Sequence, residues 1–79
     1  MEYTEKDLPL KLHHGEFLTL ADGTVVRFES NGEAKDIMIN DSWTPAITLF
    51  PANDFIIEAG GNKYKCTAAF EDVVDIVKL

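Results

Sequence analysis

A run of basic residues, a second cysteine and any long apolar stretch are all missing from this 79-residue chain, and each absence removes a class of protein. Seven Lys and Arg stand against fourteen Asp and Glu, a formal net charge of -7. Affinity for phosphates rests on neutralising them with Lys and Arg, so nucleic acid is set aside as a direct ligand. The single cysteine, Cys66, cannot close an internal disulfide, whereas a secreted domain this small ordinarily carries two or more bridges. A reducing, cytoplasmic location is therefore expected. Nowhere do about 18 uninterrupted apolar residues occur, so no membrane span is expected. The leading Met1-Glu2-Tyr3-Thr4-Glu5-Lys6-Asp7 has neither the basic nor the apolar region of a secretory signal. Without such a signal, the sequon Asn40-Asp41-Ser42 reads as coincidence.

What is present argues for a folded β domain. Hydrophobic residues make up 46% of the chain and charged residues 27%, too apolar a balance for disorder. Seventy-nine residues form one domain, 1–79, whose core is thin because so short a chain buries only roughly 60% of its unfolded surface. Glycine and proline are few, and they fall between short apolar runs. Glu16 to Leu20 and Thr24 to Glu29 flank Ala21-Asp22-Gly23, the pattern of a β-hairpin with Val26 and Phe28 facing the core. Asn31-Gly32 marks a second reversal, followed by a strand over Asp36 to Asn40 with Ile37 and Ile39 inward.

Before these, a polar N-terminal arm of about seven residues precedes Leu8-Pro9-Leu10-Lys11-Leu12, which Pro9 restricts to a sheet edge or a strand start. Beyond them, Ala46 to Phe50 alternates, Pro51-Ala52-Asn53-Asp54 turns, and Phe55 to Ala59 continues as a strand. Gly60-Gly61-Asn62 connects it to Lys63 through Ala68, with Tyr64, Cys66 and Ala68 on one face. From Phe70 to Leu79 the spacing of Phe70, Val73, Val74 and Val77 suits a helix, while the β-branched composition favours a closing strand at Val73 to Lys78. The reading is mostly β: a small antiparallel β-barrel or sandwich of about six to eight short strands, with a C-terminal helix as the alternative to the last strand.

Chemistry is sparse. His13 and His14 are adjacent, so in an extended chain they point to opposite sides and make a poor metal pair. Cys66 lies in a core-facing pattern and reads as a buried structural thiol. There is no calcium loop, P-loop, nucleophile elbow or dinucleotide fingerprint, and no assembled catalytic constellation. Neither catalysis, a metal nor a cofactor is expected. Trp43, the sole tryptophan, sits in the least regular loop. There it either folds back as a lid, the favoured reading, or stands out as an anchor for a partner. The acids group as Glu2, Glu5 and Asp7, as Glu29, Glu33 and Asp36, and as Glu71, Asp72 and Asp75. Dispersed acids of this kind ordinarily serve solubility; converging in space, they would suit the basic groove of another protein.

The expected function is a non-enzymatic binding module that meets a larger, basic protein, as a small inhibitor of the type encoded by phages or other mobile elements does. As a nucleic-acid mimic it would occupy that partner's nucleic-acid site. The candidate contact residues are Trp43, Asp41, Asp36, Glu33 and Glu29. Two alternatives stand beside this: an assembly subunit that forms a homo-oligomer through its sheet edges, and a binder of a small metabolite.

Overall fold

In the computed structural model, which describes residues 2–40, 42–69 and 71–79, two sheets pack face to face over one core. The first has the order β1-β3-β4-β5-β6, where β1 is Glu2–Thr4, β3 Phe17–Thr19, β4 Val25–Asn31, β5 Ala34–Ile39 and β6 Ile47–Leu49. The second has the order β2-β9-β8-β7, with β2 Leu10–His13, β7 Asp54–Ala59, β8 Asn62–Ala68 and β9 Val73–Lys78. This is the sandwich of the two expected architectures, and its strands number nine among the described residues rather than about six to eight. The polar N-terminal stretch supplies the extra strand: β1 pairs with β3, in parallel, and a 3-10 turn over Glu5–Asp7 leads on towards β2. It is built into the fold instead of forming an arm.

Alternation explains the core. Leu18 on β3, Val26 and Phe28 on β4 and Ile37 on β5 share the inner face of the first sheet, and their register fixes this: Leu18 lies opposite Val26, and Phe28 opposite Ile37. Tyr64, Cys66 and Ala68 of β8 meet them from the second sheet, flanked by Ile57 of β7 and by Val74 and Ile76 of β9. Val73 to Lys78 forms a strand and no helix; Phe70 lies outside the described residues. Pairing of β9 with both β2 and β8 gives its β-branched residues a sheet to fill, which outweighs the helical spacing.

Turn chemistry sets where the strands end. Between β7 and β8, Gly60 and Gly61 both have positive φ, +58° and +80°, the two-residue hairpin that glycine pairs favour. Between β4 and β5 only Gly32 is positive, at +64°, with Glu33 following it into β5. That reversal pairs Asn31 with Ala34 and Ser30 with Lys35, so Lys35 falls on the inward parity together with Ile37 and Ile39. Pro9 lies just before β2, which is an edge strand as its proline predicts.

Candidate binding face at one end of the sandwich

Three connections meet where β4 passes into β5. Ser30, Gly32, Glu33 and Lys35 come from that hairpin, Pro51 from the corner between β6 and β7, and Glu71 and Asp72 from the β8–β9 connection. Together they line an open cleft of about 500 Å³. The Ser30 hydroxyl donates to the Asp72 carboxylate and ties the two sheets together at this end. Neither that carboxylate nor those of Glu33 and Glu71 has a cationic partner among the described residues. Lys35 is only 4% exposed, has neither a hydrogen-bond nor an ion-pair partner among the described residues, and lines the cleft. No polar side-chain atom of the described residues is sealed away without a partner, so the Lys35 ammonium meets solvent, while its carbon stem covers the end of the core.

Two of the three acidic groups in the sequence therefore converge in part, through Glu33 from one and Glu71 and Asp72 from the other. The remaining candidates are placed differently. Glu29 and Asp36 face each other across β4 and β5, on the outer side of the first sheet, and both are engaged. The Glu29 carboxylate accepts from Arg27 Nη1 at 2.6 Å and lies 3.1 Å from His14 Nε2. Those contacts, the histidine first, hold its pKa below the ordinary carboxylate value. Asp36 accepts a 2.6 Å bond from the Thr48 hydroxyl. Asp41 lies outside the described residues.

Trp43 occupies the opposite end. Beyond β5, Asn40 has φ +56°, and its amide oxygen accepts from Val25 N–H at 3.0 Å while its own N–H donates to the Val25 carbonyl at 2.7 Å. The Ser42 hydroxyl then both accepts from Thr44 N–H and donates to the Thr44 carbonyl. These bonds bend the backbone around Trp43 and leave its side chain outside, 96% exposed. The favoured expectation of a lid is thus corrected, because no apolar surface among the described residues covers the ring. The six residues of β5, about 20 Å of extended chain, stand between Glu33 and the Trp43 loop, so the two do not form one patch.

Other polar groups are taken up by local structure. His13 Nδ1 lies 3.3 Å from Glu16, whose carboxyl is held low chiefly by the His13 backbone N–H. Among the described residues no group of three or more His, Cys, Asp or Glu is placed to hold a metal ion. Cys66 is fully buried, and desolvation pushes its thiol up to about 12, which leaves it protonated and unreactive at neutral pH. At the Trp43 end, the Tyr64 hydroxyl donates to Glu5, and Lys78 Nζ approaches the same carboxylate at 3.3 Å. The Tyr64 bond is the main reason the Glu5 carboxyl lies low.

Sequence reasoning singled out Glu33 but missed Lys35, and it named Glu71 and Asp72 only as members of an acidic group. The signal for Lys35 was present: Asn31-Gly32 sets the reversal, and counting in twos from Ile39 through Ile37 puts a lysine on the core side. No protein-family model, no curated protein and no solved structure matches this chain.

Proposed function

We propose that the chain is a non-enzymatic, cytoplasmic binding module whose acidic end engages a basic surface on a larger protein. One observation carries this reading: Glu33, Glu71 and Asp72 are drawn to one end from two separate segments and have no cations of their own. Carboxylates that share one cleft without ion-pair partners repel one another, a cost that an incoming basic surface would reduce. A basic groove that ordinarily takes a phosphate backbone would suit this end, which is the nucleic-acid-mimic form of the proposal. No helix among the described residues is long and apolar enough to cross a membrane.

The exposure of Trp43 supports a second contact at the far end, either as an anchor on the same large partner or between copies of this chain. Affinity purification from the native host with the tagged chain, Trp43→Ala and Glu33→Gln/Glu71→Gln/Asp72→Asn separates these. The proposal expects a basic protein that the wild type retains, that elutes with salt and that the triple variant loses while still folded. Retention of the same protein by the folded triple variant contradicts it. Recovery of the chain alone, in a defined oligomer that Trp43→Ala breaks, assigns the chain to assembly instead.

A further inference from the structure

The cleft at the acidic end is not uniformly acidic. Its lining includes one lysine, Lys35, only 4% exposed, beside the three acidic residues Glu33, Glu71 and Asp72. A plain cation such as a polyamine would meet the carboxylates but leave Lys35 facing it with like charge. A plain anion would meet Lys35 against three repelling carboxylates. The ligand complementary to both carries one anionic group and, a short distance away, at least one strong cation. Lys35 has nothing else to bind: no carboxylate oxygen of the described residues lies within ion-pair distance of it, although Glu33 is only two residues away.

We infer that the cleft binds a basic amino-acid zwitterion, an arginine or lysine residue with a free carboxylate, with that carboxylate on Lys35 and the cationic groups on Glu33, Glu71 and Asp72. This rests on the acidic end being the binding face and names what it grips. Ser30 is already committed to Asp72, so it holds the rim in place and is not a contact for the ligand. The volume lies within the range of small-molecule sites, and the opening leaves room for either a free amino acid or the last residue of a peptide chain.

The test follows backbone amide shifts in the cleft by NMR during titration of the whole chain with four probes: L-arginine, agmatine, which lacks the carboxylate, and a Gly-Gly-Gly-Arg peptide as its free acid and as its amide. The inference expects the carboxylate-bearing member of a pair to bind roughly tenfold more tightly than the member without it, the scale of one charge-assisted hydrogen bond. Lys35→Met retains an apolar stem and should abolish that preference. A peptide acid that outbinds free L-arginine assigns the ligand to a chain terminus; the reverse assigns it to a small zwitterion. Equal binding of arginine and agmatine to the wild type overturns the inference without any variant. If that equal binding is also lost in Glu33→Gln/Glu71→Gln/Asp72→Asn, the acidic end still stands as a face for cations. Absence of cleft shifts with every probe, together with unchanged partner binding by the triple variant, rejects both.

Discussion

On the outer face of the second sheet, Asp54, Glu58 and Asp75 lie 3.5, 3.7 and 3.0 Å from the ammonium groups of Lys65, Lys63 and Lys11, whereas at the β4–β5 end Glu33, Glu71 and Asp72 have no such partner among the described residues. Each region gathers three acids, but the sheet face carries three lysines and the cleft end one. The regions differ in what the fold places opposite each acid. On the sheet, cross-strand register does the pairing: Glu58 faces Lys63 directly, and Lys11 faces Asp75. At the end of the sandwich, loops from different parts of the chain meet with no register to match them. A chain that neutralises its acids across a sheet and leaves others lining one cleft without an ion-pair partner breaks a local rule at one place, which is where function is expected to reside.

The contrast depends on both regions resting on the same core. Phe28→Ala should cost about 3–5 kcal/mol, because Phe28 is fully buried on the inner face. Hydrogen exchange should then accelerate alike in β4–β5 and in β8–β9. Protection that survives in one sheet would show that the regions are separate units and that the comparison joins unrelated parts.

Gly60→Ala should act more locally. Gly60 has φ +58°, and an added Cβ would lie 2.9 Å from the Cβ of Asp22, so a loss of about 1–3 kcal/mol is expected in denaturant unfolding. The site is remote from the cleft, so affinity for a basic ligand should be unchanged. A parallel loss of affinity would show that the two ends are coupled.

Acid should reveal the engaged carboxylates. The Glu5 carboxyl is lowered from its ordinary value of 4.5, first by the Tyr64 hydroxyl and then by Lys78, and unfolding releases both. The unfolded chain therefore binds the proton more readily, and the stability due to Glu5 is present above pH 4.5 and is lost as pH falls through the lowered folded value. Glu5→Gln should flatten the acid side of the stability profile relative to wild type. An unchanged profile would remove Glu5 from the set of structural carboxylates.

Much of this architecture was legible because period two is a strong signal in short strands. Val26 with Phe28, and Tyr64 with Cys66 and Ala68, were placed on the core face by alternation alone, and the glycine-bearing turns located both clear hairpins. The first strand was not legible. Glu2–Thr4 carries no apolar alternation, and its place comes from parallel pairing to residues fifteen positions later. Nor was Met38, buried on the outer side of β5 while its register partner Arg27 is half-buried; alternation places it in water, and only the sheet geometry shows it covered. The site was half legible. Acid positions are visible in a sequence, but whether Glu33 meets Glu71 depends on how two sheets stack, a long-range fact that local pattern does not encode. Trp43 was visible as an outlier, and its direction was not, because a hydroxyl-braced loop can turn a ring inward or outward with the same residues.

The smallest effect belongs to the paired face. Lys65→Ala removes one exposed ion pair and should change stability by about 0–1 kcal/mol, with thermal unfolding nearly superimposable on wild type. A loss well above that range would mean that the sheet pairs are structural and that the contrast with the acidic end is one of strength and not of kind.

Two triple variants with identical net charge test the claim that arrangement, and not acidity, makes the binding face: Glu33→Gln/Glu71→Gln/Asp72→Asn at the end and Asp54→Asn/Glu58→Gln/Asp75→Asn on the sheet. Affinity of each for one lysine-rich peptide at fixed salt is the measurement. A binding end predicts that the first variant loses roughly tenfold or more and the second little; equal losses would show that the peptide senses only total charge and that no binding face exists there.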